Sequence, residues 1–164
     1  MTATSIEEIL VLLARGQVEF VIIGGVASMA HGTARVTYDV DVCYRRTLDN
    51  IERLCRALAD THPALRGAPS DVPFKLVPAS VQAGLNFTLS TDLGDLDLLG
   101  EVAGLGEYDA AQAVSETLNL YGVPMQVLTI EGLLAAKRAT GREKDKEAIV
   151  ELEALLELKK GPPP

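Results

Sequence analysis

The sequence has few aromatic residues, cysteines and histidines. Aromatic side chains make up 4% of the 164 residues, tryptophan is absent, and there are two cysteines and two histidines. Cys43 falls in a stretch that predicts a strand and Cys55 in one that predicts a helix, and no CxxC motif or histidine-rich segment is present. We therefore expect two reduced, mostly buried thiols, because the residues for a disulfide framework or a zinc site are missing.

Basic residues are outnumbered by acidic ones. The chain has 15 Lys and Arg against 23 Asp and Glu, which gives a net charge of -8, and its isoelectric point is near 4.7. Binding of nucleic acid over a general basic surface requires clustered Lys and Arg side chains. The composition excludes that mode of binding, so a polyanion has to be held at a local site.

Long apolar runs are also absent. None approaches the roughly 20 residues that a membrane-spanning helix needs, and the opening stretch, MTATSIEEIL, has acidic residues where a secretory signal has basic ones. We therefore expect a cytoplasmic protein with no membrane partner. Its length and ordinary composition predict a single domain over residues 1–160, followed by a disordered tail at residues 161–164.

Stretches with the period of a strand alternate with stretches of helical period. Ser5, Thr47 and Thr129 are predicted caps of three helices. A short helix is predicted after Gly25, and a final one at residues 143–158. The predicted strands cover residues 18–23, 36–44, 74–77, 86–90, 95–99, 115–120 and 125–128.

This alternation predicts an α/β (α+β) fold in which helices pack on a sheet. The strands at residues 115–120 and 125–128 are expected to form a hairpin, and those at 74–77 and 86–90 are expected to pair. The segment THPALRGAPSDVP, residues 61–73, contains three prolines and is predicted to be a surface loop.

Two aspartates inside an apolar strand need a physical explanation. Asp39 and Asp41 in VTYDVDV are two residues apart, so both carboxylates point to the same side of the predicted strand. Like charges at this separation repel each other, and burial adds a cost unless a cation compensates them. A divalent cation is the simplest remedy, and oxygen-only ligands favour Mg²⁺ or Mn²⁺. A solvated strand edge is the alternative explanation for alternating acids.

A second acidic strand repeats this pattern. Asp95 and Asp97 alternate with leucines in GDLDLLG. Either of them, brought beside Asp39 and Asp41, would supply the third carboxylate of a two-metal site for phosphoryl transfer. The alternative is a turn followed by a half-exposed strand.

A pair of glycines precedes the first acidic strand. Gly24 and Gly25 lie between a predicted strand and a predicted helix, where glycine lets the backbone approach a ligand closely. Free N–H groups at a helix start attract phosphate, and Ser28, one turn inside that helix, can add a hydroxyl group. The stretch GGVASMAHG has neither the GxGxxG spacing nor a Walker A lysine. The residues therefore predict a phosphate-binding turn of another type.

Together these features resemble a known superfamily. Two glycines, thirteen residues and then Asp-Val-Asp in an apolar strand resemble the signature of the nucleotidyltransferases that include DNA polymerase beta. More narrowly, GGVASMAHGTARVTYDVD, LGDLDLLGEV and LLAAKRATGREKDKEAIVELEAL resemble small proteins related to the AbiEii toxin nucleotidyltransferases. The resemblance covers about residues 18–156 and implies a mixed β-sheet with helices packed on it and a C-terminal helical pair.

The resemblance also implies roles for individual residues. Asp39, Asp41 and Asp97 would be the catalytic carboxylates and the metal ligands, with Asp95 as the alternative to Asp97. The nucleotide- and phosphate-binding residues would be Gly24, Gly25, Ser28, Arg35, Lys137 and Arg142. Lys137 has a second interpretation, in which it lies along the surface of an amphipathic helix.

The implied reaction is transfer of a nucleoside monophosphate from an NTP, such as ATP, to a hydroxyl group, with release of pyrophosphate and with Mg²⁺ or Mn²⁺ as cofactor. The toxin resemblance implies a transfer RNA or protein acceptor, a toxin role and a cognate antitoxin as partner.

Two alternatives belong to other functional classes than enzymes. One is a catalytically silent nucleotide-binding module that faces an antitoxin, and the other is an interaction protein that keeps only the fold.

Overall fold

A computed structural model describes residues 4–69 and 71–161. The helices are α1 (Ile6–Arg15), α2 (Gly24–Ala30), α3 (Leu48–Leu58), α4 (Pro78–Ala83), α5 (Tyr108–Ala113), α6 (Ile130–Thr140) and α7 (Lys146–Lys160). The strands are β1 (Phe20–Ile23), β2 (Asp39–Tyr44), β3 (Ala64–Leu65), β4 (Phe87–Thr91), β5 (Gly94–Leu99), β6 (Glu101–Val102), β7 (Gly106–Glu107), β8 (Ser115–Leu120) and β9 (Val123–Leu128). No helix among the described residues is both long and apolar enough to span a membrane.

The central element is a mixed sheet of seven strands in the order β3-β4-β5-β2-β1-β9-β8. The pairs β2/β5 and β1/β9 are parallel, and the other neighbours are antiparallel. Strands β6 and β7 form a separate ribbon. Helices pack on the sheet, and α6 contacts α7 as the C-terminal helical pair. The predicted fold class is therefore confirmed. The single-domain division stays a prediction, and residues 162–164 of the predicted tail lie outside the described residues.

The local signals in the sequence were sufficient for the starts of α1, α3 and α6. Ser5, Thr47 and Thr129 each accept a hydrogen bond from the backbone N–H three residues later, at 3.3, 3.4 and 3.1 Å. The predicted hairpin is β8/β9. Helix α2 begins at Gly24 itself rather than after the glycines. The predicted final helix at residues 143–158 is a short 3-10 turn followed by α7.

Apolar side chains from the helices cover one face of the acidic strands. Ile9 and Leu13 of α1 are at most 1% exposed, and Val40 and Val42 of β2 are fully buried. Burial of a side chain of this size stabilises the fold by roughly 1.5–3 kcal/mol. The two cysteines are free and buried, as predicted. This packing holds β2 and β5 rigidly while their other face carries the polar residues.

Two predictions for the segment after α3 are wrong. The predicted loop at residues 61–73 contains β3, which pairs with β4. Residues 74–77 form no strand and do not pair with residues 86–90, because β3 and β5 already occupy both edges of β4. The apolar character of residues 74–77 reflects packing instead, since the rings of Phe74 and Phe87 lie 6.4 Å apart between centroids.

A buried asparagine ties α3 to the sheet. Asn50 is fully buried. Its Oδ1 accepts a hydrogen bond from the N–H of Glu19 at 2.6 Å, and its Nδ2 donates to the carbonyls of Glu19 and Arg45 at 3.0 and 2.8 Å. Glu19 precedes β1 and Arg45 follows β2, so one side chain joins the ends of two central strands to a helix.

We expect Asn50→Ala to lower the free energy of unfolding by about 3 kcal/mol, because the part-buried N–H of Glu19 and carbonyl of Arg45 lose their side-chain partner and the Glu19 carbonyl keeps only its bond from the Arg45 N–H. Urea denaturation measures this loss. Asn119→Ala is the matched control, since Asn119 is exposed on β8. A loss no larger than that of the control would contradict a structural role for Asn50.

Candidate functional site

The register of β2 and β5 gathers four carboxylates on one face of the sheet. In this parallel pair Asp39 lies opposite Asp95, and Asp41 lies opposite Asp97. Residues that are opposite each other, or two apart in one strand, share a face. The intervening valine and leucine residues are fully buried on the other face. The structure therefore brings the predicted Asp39, Asp41 and Asp97 together, with Asp95 beside them.

Asp41 lies in the most crowded part of this cluster. Burial raises its pKa from 3.8 to about 7, and the negative charge of Asp97, a hydrogen bond with the Asp97 carboxyl group and the charge of Asp39 act in the same direction. The positive charge of Arg66 lowers the pKa of Asp41 in part. Near neutral pH, a large fraction of Asp41 is therefore protonated. The protein alone provides too little positive charge to keep all these carboxylates ionised.

Arg66 reaches the carboxylates from the edge of the sheet. Its Nη2 donates hydrogen bonds to Asp97 Oδ1 and to the Leu89 carbonyl, both at 2.7 Å, and its Nε lies 3.5 Å from Asp95 Oδ2. The N–H of Arg66 donates to the Thr88 carbonyl at 2.9 Å, so the pairing of β3 with β4 sets its position. Sequence reasoning missed Arg66, because its segment was predicted to be a loop and its local pattern carries no signal.

Gly24 and Gly25 allow the start of α2 to approach β2. Gly24 has a φ of +65°, and a Cβ atom there would collide with the Asp41 carboxylate. A Cβ atom on Gly25 would lie 2.8 Å from both Cβ and Oγ1 of Thr37. The glycines thus permit a close approach of backbone to side chains of this chain, and any larger residue at Gly24 would displace the Asp41 carboxylate.

A cavity of about 300 Å³, here called the main cavity, opens over the carboxylates. Gly24, Asp41 and Asp97 line it, and apolar residues such as Leu99 and Leu133 form its walls. Apolar walls around a few polar groups are typical of ligand sites. A larger depression of about 540 Å³ lies between α1 and α3, but it is lined by surface charges and by none of the four aspartates. Chemistry rather than size therefore identifies the main cavity as the candidate site.

A second cavity of about 120 Å³, the small cavity, lies beside α2. Its lining includes Gly25, Ser28, Thr33 and Lys137. Ser28 is 7% exposed, and in the described part of the chain neither its Oγ nor Oγ1 of Thr33 has a hydrogen-bond partner. Buried hydroxyl groups are normally hydrogen-bonded. The small cavity therefore offers hydroxyl donors and the Lys137 ammonium group to an oxyanion such as phosphate, beside the carboxylates of Asp145 and Glu151.

Lys137 of α6 lines both cavities. Its side chain is 17% exposed and its Nζ lies 3.6 Å from Asp145 Oδ1, while Nε of Arg142 donates to Asp145 Oδ2 at 2.8 Å. Burial alone raises the pKa of Asp145, but the hydrogen bond from Arg142 and the charge of Lys137 hold that pKa below its ordinary value. Asp145 is thus an ionised, buried carboxylate that orients two predicted phosphate-binding cations. The sequence analysis did not assign it to the site.

Arg35 lies at the rim of the small cavity and away from the four aspartates. Its Nη2 donates to Glu147 Oε2 of α7 at 3.0 Å, and its side chain is 51% exposed. The N–H of the neighbouring Ala34 donates to Glu151 Oε1 at 2.8 Å. An anion in the small cavity would compete with Glu147 for the Arg35 guanidinium group.

The donor set formed by the four aspartates on this face of the sheet fits a hard divalent cation. It consists of carboxylate oxygens alone, which suits Mg²⁺ or Mn²⁺, and the raised pKa of Asp41 reflects negative charge that lacks compensation. Within residues 4–69 and 71–161, no three acidic, histidine or cysteine side chains have the spacing of a finished metal site.

Neither a family model nor a curated protein matches the sequence. The structure is similar to that of the lincosamide antibiotic adenylyltransferase LnuA bound to lincomycin, with a TM-score of 0.61 and 14% identity over 94% of this chain and 99% of that one. It is similar to ANT(2")-Ia in complex with adenylyl-2"-tobramycin, with a TM-score of 0.59 and 14% identity over 95% and 87% of the two chains. An antigenic nucleotidyltransferase-like protein from Paracoccidioides brasiliensis has a TM-score of 0.54 and 19% identity over 96% and 79%. The chain therefore has the fold of nucleotidyltransferases.

Proposed function

We propose that this chain is a metal-dependent nucleotidyltransferase that moves a nucleoside monophosphate from an NTP to a hydroxyl group. The observation that carries the proposal is the placement of Asp39, Asp41 and Asp97 on one face of the sheet, with Asp41 and Asp97 lining the main cavity. The raised pKa of Asp41 supports a cation as the missing partner. The fold shared with nucleotidyltransferases supports the type of reaction.

The carboxylates have separate roles in this proposal. Asp39, Asp41 and Asp97 would hold the ions, and Mg²⁺ or Mn²⁺, when bound, would offset negative charge at the α-phosphate. The Asp97 carboxylate accepts the proton of the acceptor hydroxyl group. The acceptor oxygen forms a bond to the α-phosphorus atom, the bond from that atom to the bridging oxygen breaks, and pyrophosphate leaves with the electron pair.

The proposed phosphate-binding residues line the small cavity and the adjoining side of the main cavity, and Lys137 lines both. Ser28 Oγ, which has no partner among the described residues, and Lys137 Nζ are the proposed donors to the triphosphate. Arg142 lines the main cavity and Arg35 the rim of the small one, so both are proposed to add positive charge. Gly24 and Gly25 keep the start of α2 close enough for its backbone to take part.

The acceptor class is a finer part of the proposal. The AbiEii resemblance favours a transfer RNA or protein hydroxyl group, a toxin role and a cognate antitoxin, whereas the LnuA and ANT(2")-Ia structures hold antibiotic ligands. The main cavity, at about 300 Å³, is at the lower end of the range for a drug-sized ligand. We therefore place the NTP there and the acceptor at its mouth.

The test begins with thermal denaturation in the presence of each of the four common NTPs, with and without Mg²⁺ or Mn²⁺. A ligand at about 100 times its dissociation constant stabilises the folded state by about 2.7 kcal/mol, so we expect a metal-dependent rise in Tm of several degrees with at least one NTP. Labelled NTP is then incubated with transfer RNA, protein, lincosamide and aminoglycoside acceptors. We expect transfer of label and release of pyrophosphate with one acceptor class.

Variants separate the possible outcomes. Asp39→Ala/Asp41→Ala is expected to lose the metal-dependent shift, and Asp60→Ala, at an exposed aspartate outside the site, is expected to keep it. Stabilisation by an NTP without transfer to any acceptor would contradict the enzyme proposal and support a silent nucleotide-binding module. The absence of a shift with every NTP at millimolar concentration would contradict both and leave the interaction protein.

A further inference from the structure

The two candidates for the third carboxylate have unequal contacts with Arg66. Nη2 of Arg66 donates a direct hydrogen bond of 2.7 Å to Asp97 Oδ1. The contact with Asp95 is longer, at 3.5 Å from Nε to Oδ2. The Asp97 side chain is 21% exposed and the Asp95 side chain 40% exposed, so the shorter contact belongs to the more buried carboxylate.

The environment of the guanidinium group is well defined. Nη2 also donates to the Leu89 carbonyl at 2.7 Å, which fixes the plane of the group against β4. Nε is buried and has no hydrogen-bond partner in residues 4–69 and 71–161. The buried Nε faces the acidic cluster rather than solvent. Asp97, in turn, lies opposite Asp41 in the parallel β2/β5 pair.

We propose that Arg66 is a positioning residue that holds Asp97 beside Asp41 as the third carboxylate and leaves Asp95 outside the reacting set. The inference rests on the proposed function and identifies which aspartate serves in it. Arg66 touches neither the NTP nor the acceptor in this arrangement. It acts through Asp97, whose carboxylate it keeps in one orientation at the main cavity.

Two effects of Arg66 oppose each other. Its positive charge lies close to the place where a divalent cation would bind, so it weakens cation binding by repulsion. Its hydrogen bond to Asp97 places the proton acceptor for the hydroxyl group, and a misplacement of about 1 Å in such a group costs roughly 100-fold in rate. Removal of Arg66 therefore strengthens metal binding, because the β2/β5 register keeps Asp97 next to Asp41 while the repulsive charge is gone. It also slows the reaction, because the Asp97 carboxylate loses the hydrogen bond that orients it. Removal of an arginine with a purely structural role would not raise the metal affinity while lowering the reaction rate.

The test uses Arg66→Gln and measures Mn²⁺ affinity by calorimetry in the absence of NTP, together with kcat and KM of the transfer reaction. We expect Mn²⁺ to bind roughly 5-fold to 10-fold more tightly, because a like charge has been removed. We expect kcat to fall by about 100-fold, with KM for the NTP changed by less than about 3-fold. Arg66→Lys keeps the charge but not the planar fork, so its Mn²⁺ affinity should stay native while kcat recovers only in part.

Matched variants keep the test decisive. Arg138→Gln removes an arginine–carboxylate contact of the same 2.7 Å length, to Glu153 on the surface, and should change none of these quantities. Asp95→Asn is expected to lower kcat far less than Asp97→Asn, which remains a test even if Arg66→Gln does not fold. The proposal is overturned if Arg66→Gln weakens Mn²⁺ binding, leaves kcat unchanged, or is fully rescued by lysine. Failure of the proposed function looks different, because the native protein itself would then neither bind Mn²⁺ nor transfer label.

Discussion

We expect Asp41→Asn to abolish the proposed metal-dependent nucleotidyl transfer, with a loss of at least about 10³-fold, and at the same time to stabilise the metal-free protein at alkaline pH. The loss follows because an amide is a poor ligand for Mg²⁺ compared with a carboxylate. The gain in stability follows because the substitution removes a buried negative charge beside Asp97 and Asp39. Opposite effects on activity and stability are expected of a residue kept for a cation rather than for folding.

The pH dependence of this effect has a definite sign. Burial, together with the charges of Asp97 and Asp39, raises the pKa of Asp41 from 3.8 in the unfolded reference to about 7 in the folded protein. The folded state therefore binds this proton more tightly than the unfolded state does. The associated stability is present below the unfolded pKa and is lost as the pH rises through about 7. Asparagine cannot ionise, so the Asp41→Asn variant does not lose stability over this pH range.

Calorimetric denaturation with EDTA at pH 4 and pH 8 measures the difference. We expect the free energy of unfolding of Asp41→Asn to exceed that of the native protein by roughly 2 kcal/mol at pH 8 and by little at pH 4. One pKa unit corresponds to about 1.36 kcal/mol, and the residual solvent contact of the half-buried Asp41 carboxylate reduces the full value. Asp60→Asn, at an exposed site, should change stability at neither pH. Destabilisation of Asp41→Asn at pH 8 would show that the carboxylate supports the fold, contrary to our interpretation.

Gly24→Ala is expected to lower the free energy of unfolding by more than about 2 kcal/mol and to weaken Mn²⁺ binding at least about 10-fold. The residue has a φ of +65°, where a side chain is strained, and its Cβ atom would collide with the Asp41 carboxylate. The carboxylate has to move out of line with Asp97, so the cation loses a ligand. Urea denaturation and calorimetric titration with Mn²⁺ measure the two effects.

Gly122→Ala separates strain from collision. Gly122 lies in the β8/β9 turn with a φ of +79°, and a Cβ atom there would meet nothing within 4 Å. It carries the cost of the left-handed backbone alone, about 1 kcal/mol, and should leave Mn²⁺ binding unchanged. If the two alanine variants are equally destabilised and bind Mn²⁺ equally well, the close approach of α2 to Asp41 has no functional consequence.

The carboxylates could be predicted from sequence because their arrangement is local. Alternation in a strand has a period of two, so Asp39 and Asp41 share a face whatever the rest of the chain does. The same reasoning applies to Asp95 and Asp97. The resemblance favoured Asp97 over Asp95, whereas the contact that distinguishes them, from Arg66, depends on the pairing of β3 and β4 beyond β5.

Arg66 could not be predicted, because its position depends on residues far away in the chain. It lies in a proline- and glycine-containing segment that predicts a loop, and the two-residue β3 is too short to produce a periodic signal. Its position depends on pairing with β4, which is itself set by β5. The error at residues 74–77 has a related cause, because an apolar stretch does not reveal that both edges of β4 are already paired.

The sequence by itself determined the helix caps, the β8/β9 hairpin, the two acidic strand faces and the glycine turn, since each depends on the stereochemistry of a few neighbouring residues. Only the tertiary structure decided the parallel register that unites the two acidic strands, the contact between Arg66 and Asp97, and the close approach of Gly24 to Asp41. These features join residues far apart in the chain. They are determined by the packing of the whole sheet, and no local pattern carries that information.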